Sequence, residues 1–199
     1  MTRTRPLIAI ALTSAALLAA CGGSTETGSA SASASASAPA SAAAAWTIVD
    51  CSGGTPPYAA DAPDGDAGTT DVKVTDVKDV PYVSVATGAA APTELESVDI
   101  IEGTGTPVAA GGTVAVQYCG VDLSTAALFD SSYQRGAPAT FSLDQVIPGF
   151  SQGLVGMKTG GQRLLVIPGA LAYGSNPPSG AGIAPDAALI FVVDMVATQ

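Results

Sequence analysis

The 199-residue sequence contains no histidine, and only 7 lysines and arginines stand against 17 aspartates and glutamates. Without an imidazole, Ser-His-Asp and Cys-His nucleophilic catalysis are excluded, as are histidine-ligated metal centres. So few cations, with no basic cluster, exclude the electrostatic footprint that a nucleic-acid partner requires. None of the 3 cysteines forms a C-x-x-C pair, which argues against a dithiol redox enzyme. Aromatic residues make up 5% of the chain. What is present is 47% hydrophobic, enough for a core, but rich in Ala, Gly, Ser and Pro, so much of the chain need not be packed. The length suits one domain of about 100–150 residues plus tails.

The first segment reads as a targeting signal. Arg3 and Arg5 form a short positive region, and residues 7–20 are apolar apart from Thr13 and Ser14. That stretch is shorter than the roughly 20 residues of a membrane span and fits a secretory h-region. It ends in Leu18-Ala19-Ala20-Cys21, which resembles a bacterial lipobox. Residues 1–20 are therefore expected to be a lipoprotein signal peptide, with Cys21 lipidated and becoming the N-terminus. The expected location is the cell membrane, lipid-anchored on its extracytoplasmic side, because two acyl chains anchor where one is marginal. The competing readings are an ordinary signal peptide with a nearby cysteine and an uncleaved anchor.

Residues 21–45 are low in complexity, with Ser-Ala alternation over 29–38 and no branched apolar or aromatic side chain. Such a segment cannot offset its ordering entropy by burial, so a disordered tether is expected. Residues 46–90 form an acidic lead-in. Trp46, Ile48 and the Val72–Val74 alternation suggest short strands, separated by a stretch rich in Gly, Pro and Asp. Asp61, Asp64, Asp66 and Asp71 do not match an EF-hand spacing and no glutamate closes the set, so a solvated loop is the better reading. Twelve of the 17 acids precede Gly103.

Over residues 91–199 the pattern becomes that of an α+β domain. Residues 113–119 alternate, with Val114, Val116 and Tyr118 on one face and Ala115, Gln117 and Cys119 on the other. Residues 98–102, 163–167 and 188–196 read as further strands. Between them, Pro148 suits a first helical position and Phe150, Leu154 and Met157 recur at helical spacing, which predicts one short helix over 148–157. Gly153 and Gly156 each weaken it by about 1 kcal/mol, so it needs a sheet to pack on.

This domain resembles the FKBP family. The resemblance is carried by Val116-Gln117-Tyr118-Cys119-Gly120, Phe129-Asp130-Ser131-Ser132, Arg135-Gly136-Ala137-Pro138, Val146-Ile147-Pro148-Gly149-Phe150, Gly153-Leu154, Met157, Gly161-Gln162-Arg163, Ile167-Pro168, Ala172-Tyr173-Gly174, Gly182-Ile183-Ala184-Pro185 and Leu189-Ile190-Phe191. It spans about half of the chain, and the order and spacing of the blocks make it specific where no single block is. It implies a twisted antiparallel β-sheet wrapping one short α-helix, with a prolyl pocket between them. It also implies peptidyl-prolyl cis/trans isomerase activity on proline-containing protein clients, a macrolide as a further ligand, a monomer, no metal and no cofactor.

By the same resemblance, Tyr118, Asp130 and Tyr173 are the catalytic candidates. Phe129, Arg135, Val146, Ile147, Phe150, Ile183 and Phe191 are the substrate-binding ones, with Phe150 as the floor under the proline ring. Arg135 and the Tyr118 hydroxyl are expected to hold the Asp130 carboxylate charged and oriented, and Tyr173 to hydrogen-bond the substrate backbone. Two departures stand out: Ala139 replaces an aromatic wall, so that side is expected to be open, and Ala184 replaces a usual proline. Taken alone, Phe129, Phe150 and Phe191 read as core aromatics, and Asp130 before two serines reads equally as a turn or a helix cap.

Cys119 lies on the face opposite Tyr118, away from the expected pocket, and export permits pairing. A Cys51–Cys119 disulfide pinning the lead-in to the outer face of the sheet is expected; two unpaired thiols are the alternative. Two functions compete for the domain: an isomerase that assists exported proteins, and a non-catalytic module that grips proline-containing segments. A lipid-anchored solute-binding protein fares worse, because the domain is too small for two lobes.

Overall fold

The computed structural model describes residues 45–56, 67–75 and 79–199. The signal peptide, Cys21 and the tether, with Asp61, Asp64 and Asp66, lie outside the described residues apart from Ala45.

The C-terminal part is an antiparallel sheet around a short helix. Its strands are β4 (Glu96–Ile101), β5 (Thr113–Asp122), β6 (Leu128–Ser131), β7 (Ala139–Ser142), β8 (Gln162–Ile167) and β9 (Leu189–Thr198), ordered β4-β8-β9-β5-β6. The β7 strand pairs with the first half of β5 and β6 with its second half, so two short strands share one edge. Between β6 and β7 the chain makes a four-residue helix, α1 (Ser132–Arg135). The sequence had suggested one helix; this second one is too short to show any periodicity.

The longer helix, α2 (Pro148–Leu154), has proline in its first turn, where no intrahelical N–H is needed. It is shorter than its apolar spacing implied, because Gly156 takes a positive φ of 79° and turns the chain out. Met157 is nevertheless buried, beyond the helix rather than on it. A Cβ at Gly149 would fall 2.3 Å from Ile167 Cγ2, and one at Gly153 2.6 Å from Leu165 Cδ2. These two glycines therefore weaken the helix but let its backbone approach β8. Arg163 on β8 completes the joint: Nη1 donates to the Gly153 carbonyl at 2.7 Å, while Nε and Nη2 grip Asp99 of β4 at 2.6 and 3.0 Å. It satisfies a carbonyl that the helix end leaves open.

The lead-in is also folded. β1 (Trp46–Asp50), β2 (Val72–Thr75) and β3 (Tyr82–Ala86) form a second antiparallel sheet in the order β1-β3-β2. Val49, Val72, Val74, Val83 and Val85 pack on Cys119, Val121, Leu164, Val166, Ile190 and Val192, the outer face of the larger sheet. The inner face, with Val116, Tyr118, Leu165, Ile167, Phe191 and Val193, packs on Phe150 and Leu154 of α2. The apolar run along β9 is continuous because both of its faces are covered. A disulfide joins Cys51 to Cys119, 68 residues apart in sequence, and both residues are fully buried. Among the described residues, no helix is long and apolar enough to cross a membrane.

Candidate active site

The alternation along β5 sends Tyr118 inward, where its neighbours come from β6, β7, α2 and β9. A cavity of about 400 Å³ opens there. Phe150 on α2 forms its floor: the ring centroid lies 5.2 Å from Phe191 of β9 and 6.1 Å from Phe141 of β7, both edge-on. Phe129 meets Phe191 edge-on at 5.6 Å, and Tyr118 meets Phe141 at 5.5 Å. Such perpendicular contacts fix each ring against the next. Val146, Ile147, Asp130 and Tyr173 complete the lining together with Gln145.

At the mouth, three polar side chains converge. The Tyr118 hydroxyl donates to Asp130 Oδ2, Arg135 Nη1 pairs with Asp130 Oδ1, and Arg135 Nη2 donates to the Tyr118 oxygen at 2.8 Å. The guanidinium carbon sits 5.4 Å from the centre of the Tyr118 ring. Burial first, and then the hydrogen bond to Asp130, push the Tyr118 phenol up to about 12 against the opposing pull of Arg135. Tyr118 is thus held as a neutral donor. Tyr173 is also raised, by burial and by the nearby Asp130 charge.

Arg135 reaches this point from the end of α1. Ser131 is the N-cap of that helix: its backbone is extended and its hydroxyl accepts the Tyr133 N–H at 3.1 Å. Asp130 followed by two serines is therefore both a pocket residue and the entry to a capped helix. The buried Ser132 hydroxyl accepts the Tyr118 N–H at 2.8 Å, which ties α1 to β5.

The structure gathers Tyr118, Phe129, Asp130, Val146, Ile147, Phe150, Tyr173 and Phe191 around one cavity. Arg135 stands at the rim, bonded to Asp130 and Tyr118. Ile183 is buried in the same inner core as Tyr118, Phe150 and Phe191. The side left open by Ala139 is also not bare, because Phe141, two residues along β7 and on the same face, lines it. Phe141 and Gln145 were missed in the sequence; the period-two spacing from Ala139 was the available signal for Phe141. Among the described residues no group of His, Cys, Asp and Glu is placed to hold a metal.

The cavity and its polar mouth occupy a segment that also matches known proteins. Residues 105–196 match the family described as FKBP-type peptidyl-prolyl cis-trans isomerase. An FK506-binding protein of Streptomyces anulatus is 50% identical over 112 residues, covering 55% of this chain and 90% of the relative. A probable FK506-binding protein of Corynebacterium glutamicum is 41% identical over 117 residues, covering 58% of this chain and 96% of the relative. In three dimensions the chain is similar to the crystal structure of FkpA from Escherichia coli, with a TM-score of 0.50 and 40% identity over 54% of this chain and 49% of that one. With near-complete coverage of relatives at this identity, the chain belongs to the FKBP-type peptidyl-prolyl cis-trans isomerase family.

Proposed function

We propose that this enzyme accelerates rotation about Xaa-Pro bonds in exported proteins while tethered by a lipid on Cys21 to the outer side of the cell membrane. An Xaa-Pro bond crosses a barrier of about 18–20 kcal/mol, and uncatalysed exchange takes tens to hundreds of seconds. At the barrier the amide has lost its resonance, and its carbonyl is less polar than in the planar form. An aromatic cavity stabilises that twisted state over the well-hydrated planar one, so the rate gain comes from differential binding and needs no nucleophile. The absence of histidine is then no handicap.

The observation that carries this reading is the aromatic cavity with the Tyr118–Asp130–Arg135 triangle at its mouth. Phe150 is assigned to the face of the proline ring. Asp130, held from both sides, biases the rotating carbonyl electrostatically. Tyr173, whose phenol lies at the cavity wall, donates a hydrogen bond to the substrate backbone. A macrolide would occupy the same cavity, between Phe150 and Tyr173.

The test is isomerisation of a short Xaa-Pro-Phe peptide by the full chain, with Phe150→Ala and Tyr173→Phe beside it. Acceleration that both variants lose supports the assignment. No acceleration by a folded chain would leave a module that only grips proline-containing segments. For the anchor, cells expressing the chain are fed labelled palmitate. Label in the wild-type protein and none in Cys21→Ser is expected; an unlabelled wild-type protein would overturn lipidation.

A further inference from the structure

A helix of four residues cannot hold its own orientation, since nucleation alone costs more than so few hydrogen bonds return. What fixes α1 (Ser132–Arg135) is therefore its set of ties to the rest of the chain. Three run to the main sheet: the Ser132 hydroxyl accepts the Tyr118 N–H and donates to the Gln117 side chain, and the Tyr133 hydroxyl donates to Asp194 on β9. Two others run to the turn that follows β1. The Ser131 hydroxyl, which caps the helix, donates to the Cys51 carbonyl at 2.6 Å in a buried contact. The Gln134 side chain lies so close over Gly53 that a Cβ there would fall 2.0 Å from its Nε2. Gly53 also has a positive φ of 79°, which favours glycine.

That turn is stiff. Gly53 N–H donates to the Asp50 carbonyl at 2.9 Å, and Asp50 Oδ1 accepts both the N–H and the hydroxyl of Ser52 at 2.7 Å. The Cys51 N–H donates to the Pro81 carbonyl at 3.3 Å, and its sulfur is bonded to Cys119, next to Tyr118. The turn lies outside residues 105–196, the segment that matches the family. Yet it grips the helix whose last residue is Arg135, and the Arg135 side chain is itself about half exposed. The angle at which the guanidinium meets Asp130 and Tyr118 thus depends on where α1 is held.

We infer that the Cys51–Gly53 turn of the N-terminal extension is a positioning element for the isomerase site, acting through the Ser131 hydroxyl on Arg135. The inference rests on the reading that Arg135 orients Asp130 and Tyr118 for catalysis. Ser131 is a positioning residue and touches no substrate.

The experiment compares four forms of the full chain by peptide isomerisation, well below each thermal midpoint: wild type, Ser131→Ala, Arg135→Ala and the double variant. Misplacement of Arg135 relative to Asp130 and Tyr118 predicts a fall in kcat/KM of about fivefold for Ser131→Ala. In the Arg135→Ala background the same change is expected to have no further effect. A purely structural role would lower the thermal midpoint and leave kcat/KM intact, which overturns the inference. Losses that multiply in the double variant overturn it too, since Ser131 would then act elsewhere. Full activity in Arg135→Ala would overturn the Arg135 reading along with it, whereas an impaired Arg135→Ala beside a fully active Ser131→Ala sinks the inference alone. Should Ser131→Ala not fold, Gln134→Ala replaces it under the same criteria, because it removes the exposed side chain that lies over Gly53 and leaves the helix cap in place.

Discussion

Tyr118 and Cys119 are consecutive on β5 and belong to opposite cores: the tyrosine ring lines the inner cavity, while the cysteine sulfur is bonded to Cys51 under the outer sheet. One strand thus carries the cavity wall and the covalent attachment of the extension on adjacent residues. The alternation of a strand makes this automatic, since neighbouring side chains point to opposite faces. It also means that a disturbance on the outer face has only one residue to cross before it reaches the pocket.

The pocket floor offers the most direct test. Phe150→Leu keeps a large apolar side chain but removes two edge-on ring contacts, with Phe141 and Phe191. At about 0.5–1.5 kcal/mol per aromatic pair, stability should fall by about 1–3 kcal/mol. Activity on the peptide should fall about tenfold or more, because the surface that favours the twisted bond is lost. Thermal melts alongside peptide kinetics check both numbers; wild-type kinetics would remove Phe150 from the site.

Gly120 is a second lever. An added Cβ would lie 2.7 Å from Phe129 Cζ and 3.1 Å from Phe191 Cε1, so Gly120→Ala must displace rings that line the cavity. Overpacking of this kind costs about 1–3 kcal/mol. The expected signature is a raised KM together with the loss of stability. An unchanged KM would mean that the rings relax outward instead.

The pH dependence of Tyr118 has a definite sign. Its folded pKa of about 12 lies above the ordinary 10.0, so the protonated phenol is the form the fold prefers. The corresponding stability is fully present below pH 10 and is lost as pH rises from 10 towards 12. Burial also raises Tyr133 and Tyr173, so the check is the difference in phenolate absorbance between wild type and Tyr118→Phe, which should isolate a phenol titrating above its ordinary range. In Asp130→Asn that titration should move down, because the carboxylate is part of what raises it. Titration at the ordinary value in the wild type would contradict the burial of the phenol and its hydrogen bond to Asp130.

Breaking the disulfide should cost stability on a different scale. Cys51 and Cys119 close a loop of 68 residues, which corresponds to about 4 kcal/mol of chain entropy. Cys51→Ser is expected to melt well below the wild type. Mass spectrometry without reductant provides the control: a wild-type mass two hydrogens above the bridged form would show that the thiols are free.

Much of this molecule follows from local chemistry. The alternation of residues 113–119 identified β5 and the inward face of Tyr118, because period two is a property of the strand itself. Pro148 marked the start of α2 for an equally local reason, the missing N–H. Eight of the candidate side chains were recognisable from ordered motifs and do surround one cavity. Tertiary structure decided the rest. The strand β3 and the order β1-β3-β2 arise from pairing across a long acidic stretch, which no local periodicity encodes. Phe141 and Gln145 join the cavity according to how β7 and the segment before α2 pack. The helix α1 exists because residues distant in sequence, Cys51, Tyr118 and Asp194, each hold one of its polar groups. The sequence by itself determined which residues are suited to a prolyl pocket. The attachment of the extension to the outer face through Cys51–Cys119 was legible in the sequence; only the folded chain decided that the turn beside it bonds to the helix carrying Arg135, since that contact joins residues 80 positions apart.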